Sequence, residues 1–518
     1  MTIPQLSQTS TDPSLAVHEQ VRHHGLEHVK SKQLGWPEED PNHPRNWSLW
    51  TKTFNLTVII SLETFTYAKL SKRTLISATG AEAAEAGGPE YGVGSVVAIF
   101  CYTSIYLYGQ AIGGLIFSPI SESFGRKPLY ISSMFLYSGF CIMIGTTPNI
   151  SGVIIGRFFS GLLSAIPTIV VAGSIEDMFT AEKRVWTIFA WGVAANIGLA
   201  LGPIYGSYIT YHIGWRWVFW IAAIVTFCQA ILTLFIRETR PSQILKKRLG
   251  RLNANTTAKE SFTIDNPDAT PSIQTFITES LTRPTKLLFT EPIVFLVTIM
   301  GSIAYSQIYL LTVALPSIYT QAPLNFSREK SSLSFIPLAI GFFLDVFPRF
   351  YDHFLLKRIK AQGRILKPEH KLRGFAIGAP LLAIGLWWFA WTIPPDVYAP
   401  WPVSFAPLIL VGFATNEFDA TLTGYLTDSY TIFSASAFSS LGFTRAMMSG
   451  SVPLFTNQMY SGLGANKATS ILASVATAFC AAPVLFLNYG ERLRERSSFA
   501  KYSREAEKSM GIVAERSG

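Results

Sequence analysis

Of the 518 residues 49% are hydrophobic and only 14% charged, and the mean hydropathy is +0.30, values too apolar for an ordinary water-soluble domain. The formal net charge of +9 does not argue for nucleic acid, because Lys and Arg stand in short blocks between apolar runs, as anionic inner-leaflet lipid and topology selection favour. No cofactor or metal is implied: Cys101, Cys141, Cys228 and Cys480 each lie in a separate apolar run with no metal or redox spacing. His24 and His28 stand in a polar N-terminal stretch that supplies no further fixed ligands.

Residues 1–52 read as a polar cytoplasmic tail without a cleavable signal, so the first span itself must direct insertion. A spanning helix needs about 20 apolar residues. Six such runs are expected near 53–70, 93–116, 128–146, 150–173, 187–209 and 216–236, making a first half of residues 53–236. A cytoplasmic linker follows at 237–287. Six more runs near 289–314, 331–348, 374–392, 402–425, 436–458 and 468–488 make a second half of 288–490, and 491–518 forms a tail. The expected fold is an all-α membrane protein of twelve transmembrane helices in two six-helix halves. With the N-terminus inside, 33 of the 42 Lys and Arg fall in cytoplasmic segments, which places both termini in the cytoplasm.

The first span carries Glu63 and is broken by Lys69, Lys72 and Arg73 before a Gly-rich stretch from Ser77 to Gly94. The three cations share a helical face and Glu63 lies on another. After the second span, Glu122-Ser-Phe-Gly125-Arg126-Lys127-Pro128 makes a turn short enough to force an antiparallel hairpin. Gly125 gives it backbone freedom, Pro128 suits the first turn of the next helix, and Glu122 can pair with Arg126 or Lys127. Asp345-Val-Phe-Pro348-Arg349 ends the second span of the second half in a similar way, suggesting an internal repeat with substrate bound between the halves.

Arg157 lies well inside the fourth span, where a cation is costly unless it faces a polar cavity or a partner. In the fifth span, Gly198, Gly202 and Gly206 recur every four residues as a smooth stripe for close helix approach, kinked by Pro203, and Asn196 adds a polar candidate. Tyr305, Gln307 and Tyr309 of the seventh span are candidates to line a weakly polar cavity. In the tenth span, Glu417, Thr421 and Asp428 share a face while Asp419 points elsewhere. A protonatable carboxylate at membrane depth can bind a proton or a cation, which makes Glu417 the first candidate for a protonation or substrate site; a structural pair with Arg445 of the eleventh span competes with that reading. Sequons at Asn149-Ile-Ser151 and Asn325-Phe-Ser327 fall in loops expected outside, where glycosylation is possible, whereas Asn46-Trp-Ser48 falls on the cytoplasmic side.

Several motifs resemble the major facilitator superfamily, specifically its fungal twelve-span drug:proton antiporter branch. They are the loop of Glu122 to Pro128, Asp40-Pro-Asn-His-Pro-Arg-Asn-Trp47, Arg157-Phe-Phe-Ser-Gly161, Gly202-Pro203 with Gly206, Gly214-Trp-Arg-Trp-Val-Phe-Trp220, Arg237-Glu-Thr, Gly385-Leu-Trp, Tyr425-Leu-Thr-Asp428-Ser-Tyr430 and Pro453-Leu-Phe455. The resemblance covers about residues 36–500; the first span departs from it, which leaves open a short helix ending outward or a local error in the gene sequence. It implies a cavity-facing Arg157 in proton coupling, a glycine motif in the fifth span that marks exporters, and a structural or gating Asp428. It further implies proton-coupled efflux of small lipophilic drugs or secondary metabolites by a monomer in the plasma membrane. Uptake of a nutrient or polyamine, a vacuolar carrier and a transporter-like sensor stay as alternatives. No phosphate-binding loop of the form GxxxxGK[ST] is present, so ATP drive is not expected, nor is an enzyme.

Overall fold

The computed structural model describes residues 27–30, 33–35, 40–64, 79–179, 181–255, 274, 278, 282–362, 368–397, 399–430, 433–497 and 499–502. Apart from a short antiparallel hairpin of Glu27–Lys30 with Gln33–Gly35, the regular structure among the described residues is helical. The first half contains α1 (Leu49–Thr64), α2 (Gly80–Gly87), α3 (Ile105–Phe124), α4 (Arg126–Thr146), α5 (Ile150–Met178), α6 (Ala181–Ile213) and α7 (Arg216–Leu234). A short helix at Ser95–Ile99 and a π-helical turn at Phe100–Ser104 lead into α3. Linker helices α8 (Pro241–Asn255) and α9 (Arg283–Thr290) precede the second half: α10 (Pro292–Thr320), α11 (Ile336–Leu344), α12 (Val346–Ala361), α13 (Arg373–Ala390), α14 (Trp401–Ser429), α15 (Ser434–Leu463), α16 (Ala465–Phe479) and α17 (Ala481–Arg496).

Among the described residues nine helical stretches are long and apolar enough to cross a membrane. Helices α14 and α15, of 29 and 30 residues, have the length but a lower hydropathy, because they carry Glu417, Asp419 and Arg445 among many Ser and Thr. Helix α1 stands where the first span is expected; Lys69, Lys72, Arg73 and Ser77 lie outside the described residues.

The two halves repeat through their glycines. A Cβ on Gly109 of α3 would strike the Phe158 carbonyl of α5, and one on Gly161 of α5 would strike the Tyr106 carbonyl of α3. In the second half Gly341 of α11 meets the Ile409 carbonyl of α14 in the same way, and Gly412 of α14 meets that of Leu338. These reciprocal contacts bring backbones together where any larger side chain would hold them apart. They also correct the repeat expected from the loop motif. With Gly109 set on Gly341 and Gly161 on Gly412, Arg126 falls on Arg358 rather than Arg349, and Asp177 falls on Asp428. The eighth span accordingly does not end at residue 348: the helix runs on to Ala361, which leaves Asp345 and Arg349 inside the span instead of in a loop.

The halves touch at both ends and in the middle. At the end bearing the basic loops, Trp186 of α6 packs on Phe350 and His353 of α12, with ring centroids 4.9 and 5.9 Å apart. At the opposite end Glu85 of α2 pairs with Arg328. Midway, Tyr108 Oη and Ser451 Oγ are hydrogen-bonded at 2.9 Å, and Asn196 Nδ2 of α6 donates to Asn416 Oδ1 of α14.

Candidate functional site

A group of buried polar side chains lies where α11, α12, α13, α14 and α6 meet. Glu417 and Asp345 have no solvent exposure, and Asn196, Asn416 and Arg349 are also buried. Arg349 pairs with Glu417 and, at 3.0 Å, with Asp352 one helical turn along. Asn416 Nδ2 donates to Asp345 Oδ2 at 2.7 Å while its Oδ1 accepts from Asn196, so one amide links a carboxyl of the second half to a helix of the first. Room for the Glu417 carboxyl is made by Gly374 of α13: a Cβ there would occupy the position of Glu417 Oε1. The partner of Glu417 is therefore Arg349, not Arg445. Sequence reasoning offered only Arg445 as the partner and took Asp345 and Arg349 for the motif that ends the eighth span, and only the continued helix brings them to Glu417.

Arg445 instead pairs with Asp419, and its guanidinium lies over the Tyr305 ring, 4.5 Å from the centroid. The Asp419 side chain is 32% exposed and that of Arg445 14%, so this pair keeps contact with open space that Glu417 lacks. Tyr309 lies one turn from Tyr305, their rings 6.1 Å apart. Gln307, two residues on, points away from both; its buried amide has no hydrogen-bond partner among the described residues.

Arg157 is fully buried inside the first half. Its Nε donates to the Tyr102 carbonyl at 2.5 Å, and its guanidinium sits 4.4 Å from the Tyr106 ring centroid and 5.6 Å from that of Phe219. Tyr102 lies within the π-helical turn, where the wider hydrogen-bond spacing leaves a carbonyl open to a side chain. The surroundings of Arg157 are thus aromatic rings of its own half rather than the open cavity implied by resemblance.

The hairpin between α3 and α4 is locked by residues distant in sequence. Gly125 adopts φ 92°, a conformation that favours glycine. Arg126 is held by Asp177 at the end of α5, at 2.7 Å. Glu238, just after α7, accepts from the backbone N–H of both Arg126 and Lys127 at 3.0 Å each, an anion seated on the N-terminus of α4, and Lys127 Nζ donates to the Leu234 carbonyl at 2.8 Å. Sequence reasoning quoted Arg237-Glu-Thr as a motif without giving Glu238 this role, and it missed Asp177. The side chains of Glu122 and Glu63 lie outside those described. Gly198, Gly202, Pro203 and Gly206 of α6 are all buried, with Gly206 against Thr79. Asp428 is half-buried at the end of α14, and Asn149 and Asn325 are exposed.

Two helical halves that repeat their packing, meet through aromatic and polar contacts and enclose buried ion pairs define a polytopic membrane carrier of small molecules. The family model of the Major Facilitator Superfamily matches residues 70–487, and the chain belongs to that family. It is 31% identical over 441 residues, 84% of this chain and 74% of the other, to the efflux pump FUB11 of Gibberella moniliformis. It is 32% identical over 473 residues, 91% and 76% of the two chains, to the major facilitator superfamily multidrug transporter mdrA of Aspergillus fumigatus. The fold is similar to the crystal structure of a D-xylose–proton symporter, with a TM-score of 0.55 at 14% identity, covering 84% of this chain and 96% of that one.

Proposed function

We propose that this chain is a proton-coupled exporter of small lipophilic organic compounds, drugs or secondary metabolites, that works by alternating access. The observation that carries the reading is Glu417: a fully buried carboxylate, paired with Arg349 and one residue from the amide that joins the two halves. A buried carboxylate beside the seam of a carrier is placed to bind a proton in one conformation and release it in the other. Asp419, Arg445 and Tyr305 add a partly open, charged and aromatic patch suited to a weakly polar organic molecule. The direction of transport follows the efflux and multidrug names of the relatives. The same reading puts the protein in the plasma membrane as a monomer, with both termini and the basic loops in the cytoplasm.

The test is proton uptake into sealed vesicles containing the purified protein, measured while lipophilic compounds are added, with Glu417→Gln alongside. Compound-dependent proton movement that disappears in the variant is expected. A folded wild-type protein that moves compound without protons would overturn the coupling, and one that moves neither would leave the sensor alternative in its place.

A further inference from the structure

The group around Glu417 contains more acid than its arginine can neutralise. Among the described residues, Asp345, Glu417 and Asp352 stand around the guanidinium of Arg349. Asp345 and Glu417 are both without solvent exposure and interact with each other and with Arg349, and each retains one buried oxygen, Asp345 Oδ1 and Glu417 Oε1, without a donor among the described residues. An ionised carboxylate is an acceptor only, so two of them facing each other form a hydrogen bond only when one carries a proton. Like charges in a buried site enforce the same result, because the second ionisation meets the field of the first.

The structural repeat shows that packing does not require these groups. With the glycine contacts superposed, Asp345 falls on Gly113, Arg349 on Phe117, Asn416 on Ala165 and Glu417 on Ile166. The first half fills the same positions with apolar or small residues, and burying ion pairs where apolar side chains fit is neutral or unfavourable to stability. The second half therefore carries a polar cluster that its fold alone does not call for.

We propose that Asp345 and Glu417 share one proton against Arg349, and that Asn416 passes the state of this pair to Asn196 and so to the contact between the halves. With the proton present, Asp345 accepts from Asn416, whose carbonyl is then turned to Asn196 across the seam. Loss of the proton leaves two anions on one guanidinium. The pair separates, Asp345 moves relative to α14, and the Asn416 amide loses the orientation that holds α6. Among the described residues, the charged groups facing the pair are Arg349 and Asp352 of α12; α13 presents Gly374 and Gly378, and α6 presents the neutral Asn196. This deepens the proton-coupled reading above and rests on it.

The experiment is infrared spectroscopy of the purified protein in lipid, with no compound added, which lets the proton site fail while export stands and the reverse. A protonated-carboxyl band that shifts in deuterium oxide is expected at neutral pH, and it should be lost in both Asp345→Asn and Glu417→Gln, because the two residues share one proton. Absence of the band in the wild-type protein, or its survival in either variant, overturns the proposal. Should those variants not fold, Asn416→Ala decides: it removes the donor to Asp345, along with the acceptor of Asn196, but leaves both carboxyls in place, and it should displace the band; an unmoved band refutes the arrangement. For the relay, spin labels at the exposed Ile188 of α6 and Phe354 of α12, on protein whose native cysteines are replaced, should report a distance that changes with pH. That response should be lost in Asn196→Ala while the band remains; an unchanged pH response overturns the relay.

Discussion

Two carboxylates next to each other at the end of α5 offer a controlled measurement of what burial does to an ion pair. Asp177 meets Arg126 at 2.7 Å with side chains 8% and 5% exposed, and Glu176 meets Arg184 at 3.0 Å with side chains 61% and 30% exposed. Pair lengths are close, so Coulomb's law at fixed dielectric would rank them nearly equal; burial separates them. Asp177→Asn leaves the Arg126 guanidinium buried against Gly173 without its ion-pair partner, and takes the same carboxylate from a second, more distant arginine, Arg240, at 4.0 Å. Stranding a buried partner costs roughly 3–5 kcal/mol. Glu176→Gln removes a solvated contact worth less than about 1 kcal/mol. Heating both variants in detergent and measuring the folded fraction by size-exclusion should show a large loss for Asp177→Asn and almost none for Glu176→Gln. Raising salt should erase what remains of the Glu176 effect without touching the other. Equal losses would refute the assignment of Asp177 as the anchor of the hairpin.

Other expectations follow from the same structure. Replacing Gly161 by Val should destabilise by at least about 1–3 kcal/mol, since the added carbons meet the Tyr106 backbone, whereas the same change at Gly192, open on all sides, should lower melting far less. Glu90 accepts from Arg216 Nη1 at 2.7 Å and from the Trp215 indole at 2.9 Å, contacts that hold its carboxyl below the ordinary glutamate range. A lowered carboxyl stabilises above its unfolded pKa, near 4.3, and the contribution fades as pH falls through the lower folded value. Acid melting curves of Glu90→Gln should therefore join those of the wild type at the acid end and lie below them at neutral pH. Asp419→Asn should lower vesicle export of a cationic compound by about tenfold, equivalent to roughly 1.4 kcal/mol, by freeing Arg445 to repel it, with a smaller effect on a neutral compound; equal effects would remove Asp419 from the substrate path. Endoglycosidase should shift the gel mobility of protein from a eukaryotic host, and Asn149→Gln combined with Asn325→Gln should abolish the shift; a shift abolished by Asn46→Gln would reverse the orientation.

Hydrophobic runs and loop charges made the helical, membrane-embedded class legible, because bilayer thickness converts directly into run length. Boundaries were less legible where a helix outruns its apolar stretch. The eighth span looked finished at Pro348, since Arg349, Asp352, Lys357 and Arg358 follow, yet the helix continues to Ala361. Charge there signals an internal partner rather than an end, and that partner, Glu417, lies 68 positions further along the chain. The same limit hid Asp177 and Glu238, each of which is an unremarkable acid at the end of an apolar run until folding brings it to the α4 N-terminus. Side-chain direction was legible only where one helix sufficed: the separation of Glu417 and Asp419 on α14 held, and it sorts them to Arg349 and Arg445.

That sorting bears on how the carrier divides its work. Glu417 has no exposure and faces α12 and α13, while Asp419 is partly open beside Arg445 and Tyr305 of α15 and α10. One helix thus presents a closed acid and an open acid on different sides, and a proton and an organic molecule need not compete for the same carboxylate. On the proton-coupled export proposed above, coupling between them then runs through the movement of α14 itself. The Asn416–Asn196 contact is one place where α14 meets the other half, and on the relay proposed above Asn196→Ala should uncouple proton movement from compound export while leaving the binding of each in place. Compound-driven proton uptake that stays in step with export in Asn196→Ala would show that the coupling runs elsewhere.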